Sequence, residues 1–243
     1  MSKKYLILGA SSDLAMTFIK NNIWNPDDEI ICTCNNNAQI LEENIKGLNA
    51  KFIIKRVNFL NEQDINDFIK FLDKNNFVPE YILHAPAVPI ENLRFTELSW
   101  HDFDLQINVQ VKSFMMIIQG VIKKMSRSKF GRVIVILSSC TLNVPPKFLA
   151  GYVTAKYALM GLVKSLASEY ANKNILFNML SPSMMQTKFL NNIYGGIITD
   201  SANKNPLSRN VTPEDLTELI KYLFYGNNFV TGVNIPISGG ENF

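Results

Sequence analysis

Short runs of consecutive apolar residues alternate with longer stretches in which apolar positions recur every three or four residues. The short runs predict strands at Tyr5–Leu8, Glu29–Cys34, Phe52–Val57, Tyr81–Leu83, Arg132–Leu137, Ile175–Leu180 and Val233–Ile235. The longer stretches predict helices over residues 13–24, 38–47, 62–75, 99–125, 152–171 and 213–225. Several strands, Arg132-Val133-Ile134-Val135-Ile136-Leu137 above all, are apolar at successive positions, the pattern of a strand covered on both faces. Regular alternation of strand and helix over the whole length predicts an α/β chain with a doubly wound parallel sheet of about seven strands flanked by helices. Ser99 is placed to cap the helix over 99–125. Thr212-Pro213-Glu214-Asp215 offers a cap, a first-turn proline and two acids at the positive end of a helix dipole. No low-complexity linker or internal repeat divides the chain, so residues 1–243 are expected to form a single domain. The stretch 184–210, with Gly195-Gly196 and Pro206, lacks clear periodicity and is expected to be a mobile loop or lid on the substrate side.

Composition narrows the classes. At 243 residues the chain is long enough for a sizeable core, and 47% hydrophobic with 19% charged residues is a globular balance. The net charge of +3 comes from 24 basic and 21 acidic residues scattered along the sequence, with no basic run, so no nucleic-acid partner is expected. Cys32, Cys34 and Cys140 are an odd set without a disulfide framework, which fits a reducing compartment, and no metal site is expected. The start Met1-Ser2-Lys3-Lys4 leads into an apolar stretch too short for a secretory signal. No apolar run approaches the ~20 residues that cross a bilayer. A cytoplasmic location with no membrane partner is the expectation.

Two places carry chemistry. The first predicted strand ends at Gly9, followed by Ala10-Ser11-Ser12-Asp13-Leu14-Ala15 and a helix. A glycine at such a turn lets backbone approach a dinucleotide whose phosphates meet free N–H groups at the helix start. An ordinary tight turn with Ser12 or Asp13 as the helix cap reads the same way. A carboxylate beside a pyrophosphate repels it, so Asp13 is expected to cap the helix or to point away. Further on, Ser138-Ser139 follow a buried strand and Tyr152-Val153-Thr154-Ala155-Lys156 opens a helix. Residues four apart share a helix face, and a cation near a phenol favours the phenolate, lowering a pKa that starts near ~10. A nearby serine hydroxyl would polarise a carbonyl. Alone, the Tyr–Lys spacing also fits an incidental surface pair.

Taken together, Gly9-Ala10-Ser11-Ser12, Asn108 in a long central helix, Ser139 thirteen residues before Tyr152, and Tyr152-x-x-x-Lys156 resemble the short-chain dehydrogenase/reductase family. Pro182-Ser183-x-x-x-Thr187 and Gly232…Gly239-Gly240 follow in that family's order, so the resemblance covers essentially the whole chain. It implies a Rossmann-type fold and hydride transfer between a nicotinamide and a ketone or secondary alcohol. Tyr152 would be the acid or base. Lys156 would lower its pKa and hold the nicotinamide ribose, Ser139 would polarise the carbonyl, and Asn108 would anchor a water in a proton relay. The cofactor would be held by Gly9, Ser11, Ser12, Asp13, Leu14, Asn35, Asn58, Phe59, His84, Ala85, Tyr152, Lys156, Pro182, Met185 and Thr187. In length and layout the chain is most similar to 3-oxoacyl-thioester reductases, with a sugar-like ketone as the other candidate substrate. The family commonly forms dimers or tetramers through helices such as 99–125 and 152–171, so a homo-oligomer, a homotetramer, is expected.

The chain also departs from the family pattern. Asp13 and Ala15 stand where the phosphate loop usually has its second and third glycines, and His84-Ala85-Pro86-Ala87 replaces the usual Asn-Asn-Ala-Gly. His84 is expected to be buried and satisfied by backbone groups. Ser183 replaces a glycine, and Asn58 stands for an adenine-side aspartate. The second strand ends Thr33-Cys34-Asn35-Asn36-Asn37, with neither the acid that favours NAD nor an arginine. Without a repelling carboxylate a 2′-phosphate is tolerated, which leans toward NADP over NAD. Met184, Met185, Phe189, Leu190, Ile193 and Tyr194, with the 140–150 loop, would form an apolar substrate wall. The alternative reading is a cofactor-binding regulatory or scaffold member without turnover.

Overall fold

In the computed structural model, which describes residues 2–241, seven strands lie in one parallel sheet. They are β1 Lys4–Leu8, β2 Glu29–Cys34, β3 Lys51–Arg56, β4 Tyr81–His84, β5 Gly131–Ile136, β6 Ile175–Pro182 and β7 Asn234–Ile237, in the order β3-β2-β1-β4-β5-β6-β7. Every pairing is parallel, so each connection must cross over, and helices cover both faces. Successive side chains then enter opposite layers. Tyr5 and Ile7 pack with α1 (Asp13–Asn21), α2 (Ala38–Ile45) and, through Leu216 and Ile220, α8 (Pro213–Lys221). Leu6 and Leu8 pack with α3 (Glu62–Lys74), α5 (Ser113–Ser128) and α6 (Ala150–Tyr170). This double covering is why the strands read as unbroken apolar runs. The architecture is the doubly wound parallel sheet that the periodicity predicts and the Rossmann-like one that the resemblance implies. Strand order reverses between β1 and β4, and the crevice at their carboxyl ends is where such sheets bind ligands.

Two elements differ from expectation. The helix expected over 99–125 starts as α4 (Trp100–Ile107), widens into a π turn at Asn108–Lys112 and continues as α5. Ser99 caps it in a reciprocal box with Asp102, as its position predicts. By length and composition alone Trp100–Ser128 is apolar enough to cross a bilayer, but Phe114, Ile117, Val121 and Met125 are buried in the core here. The second difference corrects the stretch 184–210, which holds a short 3₁₀ turn at Lys188–Leu190 and a helix, α7 (Gly195–Lys204). The glycines that mark this segment as irregular lie in its first turn, where a helix loses least by them. Its asparagines tie its end down: Asn205 Nδ2 donates to the Ser238 carbonyl and Asn210 Nδ2 to that of Ile198.

Candidate active site

The β1–α1 turn is tight. Gly9 has φ +71°, and a Cβ there would lie 2.8 Å from the backbone nitrogen of Pro86 and 3.0 Å from the carbonyl carbon of Ala85. Ala85 N–H donates to the Leu8 carbonyl, so the turn and the end of β4 are in backbone contact. Gly9 N–H donates to Thr33 Oγ1 and Ala10 N–H to the Thr33 carbonyl, which fixes the turn against β2. Ser12 caps α1 by accepting from Ala15 N–H, leaving first-turn N–H groups without an intrahelical partner. Asp13 is not the cap. Its carboxylate reaches across the crevice to accept the backbone N–H of Lys188 at 2.7 Å. A dinucleotide fits this turn: Gly9, Ser11 and Ser12 are half-exposed and small, and the first N–H groups of α1 have no acceptor within the helix.

The remaining expected cofactor residues are placed unevenly. Leu14 and Phe59 bury their side chains in the two cores, so they can offer a ligand only backbone. Asn35 is exposed just past β2. Asn58 accepts from Leu60 N–H while its own N–H is held by Asp64. Pro182 ends β6 and pairs with Ile237, Met185 bridges Val211, and Thr187 Oγ1 donates to the Met185 carbonyl. Arg56, which had no place in the expected set, lies beside Cys34 through the β2–β3 register, near enough to act on its thiol. A search limited to residues following β2 in sequence cannot find it.

At the centre of the sheet, Tyr152 and Lys156 are buried side by side on α6, with the Lys156 Nζ 5.6 Å from the Tyr152 ring centre. Lys156 donates to the Ile136 carbonyl at 2.9 Å. Ser138, in extended backbone just past β5, lies near enough to the Tyr152 phenol to act on it, and Ser139, thirteen residues before the tyrosine, opens the short turn that follows. Cys140 sits against the Ser138 hydroxyl, its thiol pushed up by burial. The ring of Phe189 lies 6.2 Å from that of Tyr152.

The expected electrostatics are corrected in one respect. The Tyr152 phenol is held above its ordinary range, because burial outweighs the opposing influence of the Ser138 hydroxyl. The same burial brings the Lys156 ammonium down to about 7. In the closed site both groups therefore favour their neutral forms.

Behind this pair, His84 is buried at the end of β4. Its Nε2 lies 3.3 Å from the Gln110 carbonyl in the π turn and its ring 4.9 Å from that of Phe114. A carbonyl only accepts, so Nε2 carries the proton, and Nδ1 is left without a partner. Burial first, and then the nearby Lys156 charge, lower the histidine's pKa to about 3. The expectation of a buried histidine held by backbone is met on one nitrogen. Asn108 opens the π turn, but its side chain is tied to Asp104 at 2.5 Å; the group of that turn that meets His84 is the Gln110 carbonyl, while the buried Gln110 side chain donates to Gln106. A cleft in front of Tyr152 is lined by Val88, Leu93, Leu98, Leu105 and Phe148, with Glu91 and Asp102 as its acids. The 88–98 share of that wall lies in a segment whose sequence showed no pattern.

A family model described as enoyl-(acyl carrier protein) reductase matches residues 27–242. The 3-oxoacyl-(acyl-carrier-protein) reductase FabG of Chlamydia pneumoniae is 25% identical over 246 residues, covering 100% of this chain and 98% of that protein. Among solved structures, a 4-hydroxyisoleucine dehydrogenase complexed with NADH is 26% identical, with a TM-score of 0.87 over 98% of both chains. ElxO with NADP bound has a TM-score of 0.84 at 23% identity, over 99% of this chain and 98% of its own.

Proposed function

The chain belongs to the short-chain dehydrogenase/reductase family, and from that premise we propose that it is an NAD(P)-dependent carbonyl reductase in which Tyr152 is the proton donor. The observation that carries this reading is the pairing of buried Tyr152 and Lys156, with half-buried Ser138 beside them, at the carboxyl ends of the central strands, where Tyr152 lines a largely apolar cleft. A nicotinamide cofactor, when bound, supplies the hydride. The chain's own residues do the rest. A phenol kept protonated by burial is in the acid form that a ketone oxygen requires as it gains charge. Ser138, beside that phenol, stands where it can donate to the same oxygen. Lys156, anchored on the Ile136 carbonyl, stands beside the tyrosine, and Phe189 keeps water from one side. His84 braces the π turn from within.

NADP or NAD is the cofactor, and Arg56 beside the end of β2 favours NADP, because a guanidinium suits a 2′-phosphate. The substrate class is a 3-oxoacyl thioester or another apolar ketone, supported by the cleft lining and by the FabG relative. A cytoplasmic location and homo-oligomeric assembly belong to the same proposal.

The test is NADPH and NADH oxidation with a panel of 3-oxoacyl thioesters and simple ketones. Tyr152→Phe is expected to lower turnover about a thousandfold while leaving cofactor binding in place. Unchanged turnover in that variant would sink the mechanism, and cofactor binding without turnover on any ketone would leave the binding-only reading in its place.

A further inference from the structure

The contact between Asp13 and Lys188 joins residues 175 positions apart and serves neither helix capping nor the core. Ser12 already caps α1, so the Asp13 carboxylate is available for other work. It sits in the first turn of α1, one residue past the cap, and it takes the N–H of the first residue of the Lys188–Leu190 turn. That turn follows Thr187, which is in extended backbone, and leads to Phe189 on the face of Tyr152. The bond therefore ties the segment beyond β6, which carries one wall of the reaction site, across the mouth of the crevice between β1 and β4.

An anion bound at the start of α1 would lie within one helical turn of the same carboxylate, about 5 Å. Like charges at that separation oppose each other, while the helix start attracts both. Asp13 and a pyrophosphate thus compete for one electrostatic position, and Asp13 already holds a backbone donor there.

We propose that Asp13 is a positioning residue that straps the Met184–Leu190 segment over the cofactor crevice, and that a dinucleotide must displace its carboxylate from Lys188 N–H in order to bind. The strap sets cofactor affinity: it weakens binding and links the arrival of the cofactor to movement of the wall beside Tyr152. This rests on the dinucleotide reading above.

The experiment compares wild type with Asp13→Asn and with Lys188→Pro. The proline removes the N–H together with the lysine side chain, at a turn start whose preceding residue is already extended. Lys188→Ala controls for the lost lysine charge. Without ligand, amide exchange over residues 184–190 should quicken in Asp13→Asn and Lys188→Pro but not in Lys188→Ala. Asp13→Asn should bind NADPH about tenfold more tightly in low salt, with the difference shrinking as salt screens the carboxylate. A residue of merely structural importance would lose stability and affinity together, whereas here affinity rises as the segment loosens. Unchanged exchange in both variants overturns the strap, and equal or weaker NADPH binding by Asp13→Asn overturns the competition. If no protein in the set binds either nicotinamide cofactor, the cofactor reading falls and the competition with it, while the exchange result alone still decides the strap.

Discussion

Lys156 shows how one burial shapes two behaviours. An unfolded lysine titrates near ~10.4, and the folded one is lowered to about 7. Between those values the unfolded chain holds more protons at this position than the folded chain, so the site's cost to folding is complete below pH 7 and is relieved as pH rises. Wild type should therefore gain stability from pH 7 to 9.5 relative to Lys156→Met, measured by chemical denaturation at the two pH values. That window stays below the range where the buried tyrosines, with raised pKa values, begin to work in the opposite direction. Arg56 gives a second prediction at this scale. Arg56→Gln should raise KM for NADPH about tenfold and leave KM for NADH nearly unchanged, the difference expected of one lost charge-assisted contact. Equal effects on both cofactors would remove Arg56 from the 2′-phosphate site. Neither residue's part was visible in sequence order: Lys156 was placed by its spacing from Tyr152, but its depth and its Ile136 anchor come from the sheet beneath it.

Among the elements, the π turn at Asn108–Lys112 departs furthest from what a helical period can express. It inserts one residue into the turn, so α4 is rotated relative to α5, which brings Gln110 to His84 and Leu105 and Gln106 to the cleft. Deleting Val109 would restore a regular helix and turn α4 by about 100°. Turnover is then expected to fall about a hundredfold or more, the scale of loss that follows a small misplacement at a reacting site, with far-UV circular dichroism preserved. Retained turnover would make the π turn a passive irregularity. Strand positions and helix caps were legible because they depend on neighbours within a few residues: Ser99 with Asp102, and Thr212 with Asp215, both form the boxes their spacing implies. The π turn and α7 were not legible, since a widened turn has no residue signature and glycine and asparagine read as breakers wherever they stand.

Over the whole molecule, the two ends of the sheet do different work. Ser138, just past the carboxyl end of β5, meets Tyr152, while Arg132 near its other end is buried and donates to the carbonyls of Gly131, Asn174 and Asn227 and to the Asn228 side chain. It has no carboxylate partner among the described residues and instead ties the turns that enter β6 and β7. Arg132→Leu would leave these acceptors unpaired and should cost about 2–4 kcal/mol of stability in denaturant titration. In the folded fraction kcat should be unchanged, because no contact of Arg132 reaches the cleft. A fall in kcat without loss of stability would contradict this division.

The sequence by itself determined the alternating elements, the parallel doubly wound sheet, the Gly9 turn and the pairing of Tyr152 with Lys156. All of these follow from short unbroken apolar runs, from a period of 3.6 residues or from contacts within one turn. Only the tertiary structure decided that Ser138 lies close to the tyrosine, that Arg56 lies beside the end of β2, that His84 meets Gln110, and that Asp13 holds Lys188. Each of these joins residues from different elements. Their meeting depends on strand register, on the hand of a crossover and on the phase of a helix after a widened turn, and one-dimensional spacing carries none of these.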